Sequence, residues 1–217
     1  YSNSGDLFVS EKGVGAQNCG IHLWKNNELS LIGMHNASIT AIIPYGDHLL
    51  LSSSRDFTIN QWDTAHNRRI ATIQCPDWPR SLSFHETRQQ AIGLDSKITL
   101  INWAEKKITR RYQVSQNTTK GIRRSINQCA LISPTEDRIY IGQHDGQVIA
   151  IDGLLASHRV ITSLVANFSG RIVGIKQLPN QPYCIASSTS GELALIHQNS
   201  QRKIKIISGK TARLTSL

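Results

Sequence analysis

Apolar and polar residues alternate in short runs along nearly the whole chain, which is the period-two pattern of half-buried β-strands. The clearest pair of runs is 49–53 and 58–62, joined by a tight turn at Ser54, Arg55 and Asp56. With 39–44 and 69–73 they make a set of four. Three further sets follow: 81–84, 90–94, 97–101 and 108–114; 127–132, 138–142, 147–151 and 160–164; and 172–178, 183–187, 192–196 and 203–207. Before them, runs at 5–11, 21–24 and 29–32 form an incomplete set, with a glycine-rich long turn at 12–20. Residues 211–217 could supply one more strand, and Leu154-Leu155-Ala156 a single helical turn. No long helical period competes, so the predicted class is all-β.

The sets share a register. Ile21-His22-Leu23-Trp24-Lys25 is matched by Ile59-Asn60-Gln61-Trp62-Asp63, Ile98-Thr99-Leu100-Ile101-Asn102, Val148-Ile149-Ala150-Ile151-Asp152 and Leu193-Ala194-Leu195-Ile196-His197. The fourth positions, 24, 62, 101, 151 and 196, lie 38, 39, 50 and 45 residues apart. The longest interval holds a polar insert around Asn117 to Arg124. Spacings of about 40–45 residues match four-stranded repeat units, which bury their apolar faces only by stacking on their neighbours. The turn Ser54-Arg55-Asp56 followed by Ile59-Asn60-Gln61-Trp62-Asp63 resembles the WD repeat, whose pattern is Ser-x-Asp and then Ile-x-Leu-Trp-Asp; Gln61 replaces the usual Leu.

That resemblance implies a β-propeller of four-stranded antiparallel blades, five of them visible, at about 1–33, 34–74, 75–115, 116–165 and 166–210. The chain is then a five-bladed ring, closed by pairing 211–217 with the incomplete first blade, or part of a seven-bladed one. Closure would remove exposed strand edges. The resemblance also implies a hydrogen-bonded set of His35, Ser52 or Ser54, Asp56 and Trp62, complete only in the second blade. Asp95 and Asp145 take the place of Asp56 in the third and fourth blades, and Ser190 in the last. Asp145-Gly146 favours a hairpin turn because both residues tolerate positive φ.

Composition narrows function by exclusion. At 217 residues and 39% hydrophobic content, the chain can build a sizeable core of alternating strands. No run approaches the roughly 18 apolar residues of a membrane span, and no secretory h-region is visible. The first residue is Tyr1, which reads as an excerpt or a processed product. Cys19, Cys75, Cys129 and Cys184 are too far apart for a Cys-x-x-Cys motif and read as buried thiols in a reducing compartment, so a cytoplasmic location is expected. There is no Gly-x-Ser-x-Gly elbow, P-loop or His-Glu-x-x-His helix. His144-Asp145 and His85-Glu86 fall in turns, and the eight histidines show no ligand spacing. The expectation is a protein without enzymatic activity, cofactor or metal. A propeller glycosidase or lectin would need more axial carboxylates than 15 acidic residues comfortably supply.

The formal charge of +9 favours acidic partners. Basic pairs such as Arg68-Arg69, Lys106-Lys107 and Arg110-Arg111 sit where charge protects an outer strand edge. Aromatic residues do not interleave with them, so specific nucleic-acid binding is not expected. Ile122-Arg123-Arg124-Ser125 resembles, in its dipeptide alone, the Arg-Arg motif of phosphoinositide-binding propellers, which implies an acidic lipid headgroup as an alternative ligand. Asp77-Trp78-Pro79-Arg80 and Asn167-Phe168 occupy loops between sets, which in WD-repeat propellers line the partner-binding face. The expected function is a protein–protein interaction scaffold for an acidic protein or peptide. Its binding residues are Arg55, Trp78, Arg80, Arg123, Arg124 and Phe168.

Overall fold

A computed structural model describes residues 6–11, 17–85, 89–94, 97–114, 117–118, 121–122, 127–133, 137–156, 159–178, 181–198 and 202–208. Strands 117–118, 121–122 and 202–208 are described by their backbone. The chain divides into two compact units, Tyr1–Asp95 with Thr99–Arg111, and Ser96–Ile98 with Tyr112–Leu217. Among the described residues the fold is all-β without helix, and hence no helix is long and apolar enough to cross a membrane.

The first unit contains three sheets. One has three strands, β1 (Leu7–Ser10), β2 (Cys19–Lys25) and β3 (Glu28–His35). The next has four, β4 (Ile39–Tyr45), β5 (Leu49–Ser54), β6 (Thr58–Asp63) and β7 (Arg68–Gln74). The third is β8 (Ser81–His85), β9 (Gln90–Leu94), β10 (Ile98–Asn102) and β11 (Lys107–Tyr112). In each, sequence neighbours are sheet neighbours. The expected long turn at 12–20 is shorter than predicted, because Cys19 and Gly20 already pair with His35 and Met34.

Alternation along the middle sheet sends successive side chains to opposite faces. Leu50 and Trp62 pack with Ile21, Leu23 and Ile32 of the three-stranded sheet. Leu51 and Ile59 pack with Leu82, Ala91, Ile101 and Trp103 of the third. Gly33 belongs to this fit, since a Cβ there would overlap the Trp62 ring. Gln61, the departure from the WD-repeat pattern, has partners: its amide donates to the Tyr45 hydroxyl, and its carbonyl accepts from Lys106 Nζ at 2.9 Å. Lys106 Nζ also lies 4.4 Å from the centre of the Trp103 ring.

The second unit begins with a two-stranded ribbon, β12 (Asn117–Thr118) and β13 (Gly121–Ile122). Two four-stranded sheets follow: β14 (Asn127–Ile132), β15 (Arg138–Gln143), β16 (Gln147–Asp152) and β17 (Ile161–Asn167), then β18 (Ile172–Gln177), β19 (Tyr183–Ser188), β20 (Glu192–His197) and β21 (Arg202–Ser208). Tyr140, Val148 and Ala150 of one pack against Ile175, Ala186 and Ile196 of the other. Cys129 and Cys184 lie in the same cluster, and burial pushes each thiol up to about 12. All four cysteines are buried, and none is in a disulfide. Leu154-Leu155-Ala156 is a turn rather than a helix; the Asp137 carboxylate accepts from the backbone N–H groups of Leu155 and Ala156 at 2.9 and 3.1 Å.

The register repeats in detail. Trp24, Trp62, Ile101, Ile151 and Ile196 are each the penultimate residue of the next-to-last strand of their sheet: β2, β6, β10, β16 and β20. A bulge interrupts the pairing of that strand with the next in β2–β3, β6–β7, β16–β17 and β20–β21. Another follows the first residue of β4, β14 and β18. The second place is constant, whereas the first set falls either after Ile21 and Val148 or just before Trp62 and Ile196; recurrent bulges are features of a unit rather than defects. The environments of the five residues differ at one point. Trp62, Ile101, Ile151 and Ile196 are at most 3% exposed, whereas Trp24 is 43% exposed beside Val9, Leu29 and Leu31.

Candidate functional site

Three of the predicted binding residues come together in the first unit. Arg55 lies in the β5–β6 turn, and Trp78 and Arg80 lie in the β7–β8 loop. The Arg55 guanidinium carbon is 5.0 Å from the centre of the Trp78 ring, and that of Arg80 is 4.7 Å from it. Both arginines are exposed and Trp78 is half-buried.

Each segment is held by its own hydrogen bonds. In the turn, Arg55 N donates to Ser38 O at 3.0 Å, Ser54 Oγ donates to Ala37 O at 2.9 Å, and Asp56 N donates to Ser54 Oγ at 3.1 Å. In the loop, Thr40 Oγ1 donates to Pro79 O at 2.6 Å, and Arg80 N donates to Leu94 O at 2.6 Å. Cys75 N joins the two by donating to Phe57 O at 2.7 Å. The ring and its two cations therefore stand on braced backbone.

The neighbouring carboxylates are engaged elsewhere. Asp77 accepts from Arg111 at 2.7 Å. Asp56 accepts from His35 Nδ1 at 2.9 Å, Asn36 N at 2.9 Å and Thr58 Oγ1 at 2.6 Å. Burial alone would raise the Asp56 carboxyl, but the bonds from Thr58, His35 and Asn36 outweigh it and hold the group below its ordinary range. Among the described residues neither the Arg55 nor the Arg80 guanidinium has a hydrogen-bond or ion-pair partner. Arg68 and Arg138, by contrast, pair with Asp63 and Asp152.

Behind the site the expected network is present, with one correction. Trp62 Nε1 donates to Ser52 Oγ at 2.7 Å, and Ser52 Oγ meets His35 Nε2 at 2.7 Å. The hydroxyl in the network is that of Ser52, not Ser54; Ser54 stands two residues nearer the turn and bonds Ala37 O instead. Burial lowers the His35 pKa against the pull of Asp56. A neutral ring with the proton on Nδ1 satisfies its two shortest bonds: Nδ1 donates to Asp56 and Nε2 accepts from Ser52.

Phe168 requires a larger correction. It is 5% exposed and packs with Val148, Ala166 and Ile172, so it is a core residue and presents nothing to a partner. Its loop doubles back, with Phe168 N donating to Gly146 O at 2.9 Å, and this turns the ring inward. Asp145 is exposed and accepts from Gln147 N at 3.3 Å, a turn-stabilising bond. Arg123, Arg124 and Asp95 lie outside the described residues.

Phe57 escaped the sequence reading. It is 41% exposed and sits in the left-handed region at φ 67°. The residue just before the third strand is glycine in the two sheets of the second unit, Gly146 at φ 87° and Gly191 at φ 80°. A bulky residue in that conformation is a genuine outlier. Setting Asp56-Phe57 beside Asp145-Gly146 and Ser190-Gly191 would have exposed it.

Among the described residues no group of three His, Cys, Asp or Glu side chains could hold a metal ion. Compared with known proteins, the chain matches no family model, and no curated protein matches it.

Proposed function

We propose that the chain is a WD-repeat β-propeller, a five-bladed ring or part of a seven-bladed one, that works in the cytoplasm as a non-enzymatic interaction scaffold. Its ligand is an acidic protein or peptide, held at Arg55, Trp78 and Arg80. The observation that carries this reading is the pair of guanidinium groups against one indole, neither with a hydrogen-bond or ion-pair partner among the described residues. Support for the blade reading comes from the meander sheets, the recurrent bulges and the shared third-strand position.

Binding follows from preorganisation. A guanidinium resting on an aromatic face keeps its N–H edge free for a carboxylate. Because turn and loop are already braced, little ordering is needed when ligand arrives. The test is retention of a random peptide pool rich in Asp and Glu by the immobilised chain. Trp78→Ala is expected to weaken retention about tenfold, the combined loss of two exposed cation–π contacts, with an unchanged melting temperature. Equal retention by that variant would remove Trp78 from the site.

A further inference from the structure

Resting on that reading, we infer that the site takes one phosphorylated side chain of an extended peptide, with an apolar residue beside it. Arg55 and Arg80 share one indole, and the carboxylates next to them in sequence are bound by His35, Asn36, Thr58 and Arg111. Both guanidinium carbons lie within 5.0 Å of the same ring centre, and an anion at the ring's edge that took a donor fork from each would be held twice. A carboxylate carries one charge on two oxygens and fills one fork. A phosphate monoester carries about −1.5 to −2 and three acceptor oxygens, enough for both. Phosphate recognition by paired arginines is a general mode of peptide binding.

Phe57 supplies the second half of the ligand's description. Its turn also carries Arg55, and its carbonyl is bonded by Cys75, three residues before Trp78. The side chain is exposed in a conformation that glycine takes in the two equivalent turns of the second unit. The exposed part of the ring offers an apolar ligand side chain a surface on the turn that carries Arg55. A bare lipid headgroup would leave that ring unused, which favours a peptide.

The experiment uses the full chain, immobilised, and three pools of peptides with random flanks around a fixed phosphoserine, serine or glutamate. The phosphoserine pool should be retained at least about tenfold better than the other two, the gain from added charge-assisted bonds, and inorganic phosphate should compete. Retained peptides should be enriched in apolar residues within two positions of the phosphoserine. Arg55→Ala and Arg80→Ala should each erase the difference between pools; Arg55→Lys and Arg80→Lys, which keep charge but lose the fork, should reduce it, and these serve where an alanine variant melts early. Phe57→Gly should keep the phosphate preference and lose the apolar enrichment. Equal retention of glutamate and phosphoserine pools would overturn the phosphate inference and leave the acidic-peptide platform standing. Retention of no pool would overturn both. Capture only by phosphoinositide vesicles, dependent on Arg55, would replace the peptide by a lipid.

Discussion

At the scale of single residues, His35 and Phe57 are held in states that a free chain would not choose. The His35 pKa is lowered chiefly by burial and secondarily by Arg69, while Asp56 pulls the other way. A folded-state pKa below the unfolded value means that the unfolded chain binds the extra proton first as pH falls. The stability contributed by neutral His35 is therefore complete above about pH 6.5 and is lost below it. Asp56, also lowered, adds a second loss only near and below about pH 4. The melting temperature should fall between pH 7.5 and 5.5, and that part of the fall should be absent in His35→Asn, as scanning calorimetry would register. Phe57 makes the opposite prediction. Left-handed backbone costs a non-glycine residue roughly 1–2 kcal/mol, and its ring is only partly buried. Phe57→Gly should raise stability by about 1 kcal/mol in urea unfolding. A loss of stability would mean that the ring is a packing element.

At the scale of strands and turns, one position carries two outcomes. Trp62 and Trp24 hold the same place in their strands, yet they are 3% and 43% exposed. Trp62→Ala should cost about 3–5 kcal/mol, the usual range for a buried aromatic, whereas Trp24→Ala should cost under about 1 kcal/mol. Gly33→Ala, which drives a methyl into the Trp62 ring, should cost about 1–3 kcal/mol. Similar costs at Trp24 and Trp62 would contradict the packing described. The strands were legible because alternation reports which residues face a neighbouring sheet; β5 and β6 show this in Leu50, Leu51, Ile59 and Trp62. Strand ends read less well, because Cys19 and Gly20 look like loop until their partners in β3 are known. Phe168 misled because loop residues are expected outside, and no local pattern signals a chain that folds back on Gly146. The turn of the last sheet hid an exchange of roles. Ser190 stands where Asp56 does, but Glu192 supplies the carboxylate, accepting from Ser169 N at 2.8 Å as Asp56 accepts from Asn36 N. The convergence of Arg55 on the Trp78 ring was not readable either, since 23 positions separate them and only the stacking of β4–β7 on β8–β11 brings turn and loop together.

At the scale of the whole molecule, the +9 charge and the Arg55–Trp78–Arg80 site act on different steps of binding. Net charge acts at a distance: it raises the encounter rate with an acidic peptide and is screened by salt. The two guanidinium groups act at contact, where orientation and hydrogen bonding decide how long a ligand stays. For a phosphoserine peptide selected by the chain, raising ionic strength from about 0.05 to 0.5 M shrinks the screening length severalfold. It should therefore slow association by about tenfold or more and change dissociation less. Arg80→Ala should do the reverse, because it removes one of nine net charges but half of the contact pair. Dissociation should quicken by about tenfold, one charge-assisted hydrogen bond's worth, with association nearly unchanged. Surface plasmon resonance at two salt concentrations separates the two rates. If Arg80→Ala changed only association, Arg80 would be one more member of the general field, and the geometry over Trp78 would not be the ligand's anchor.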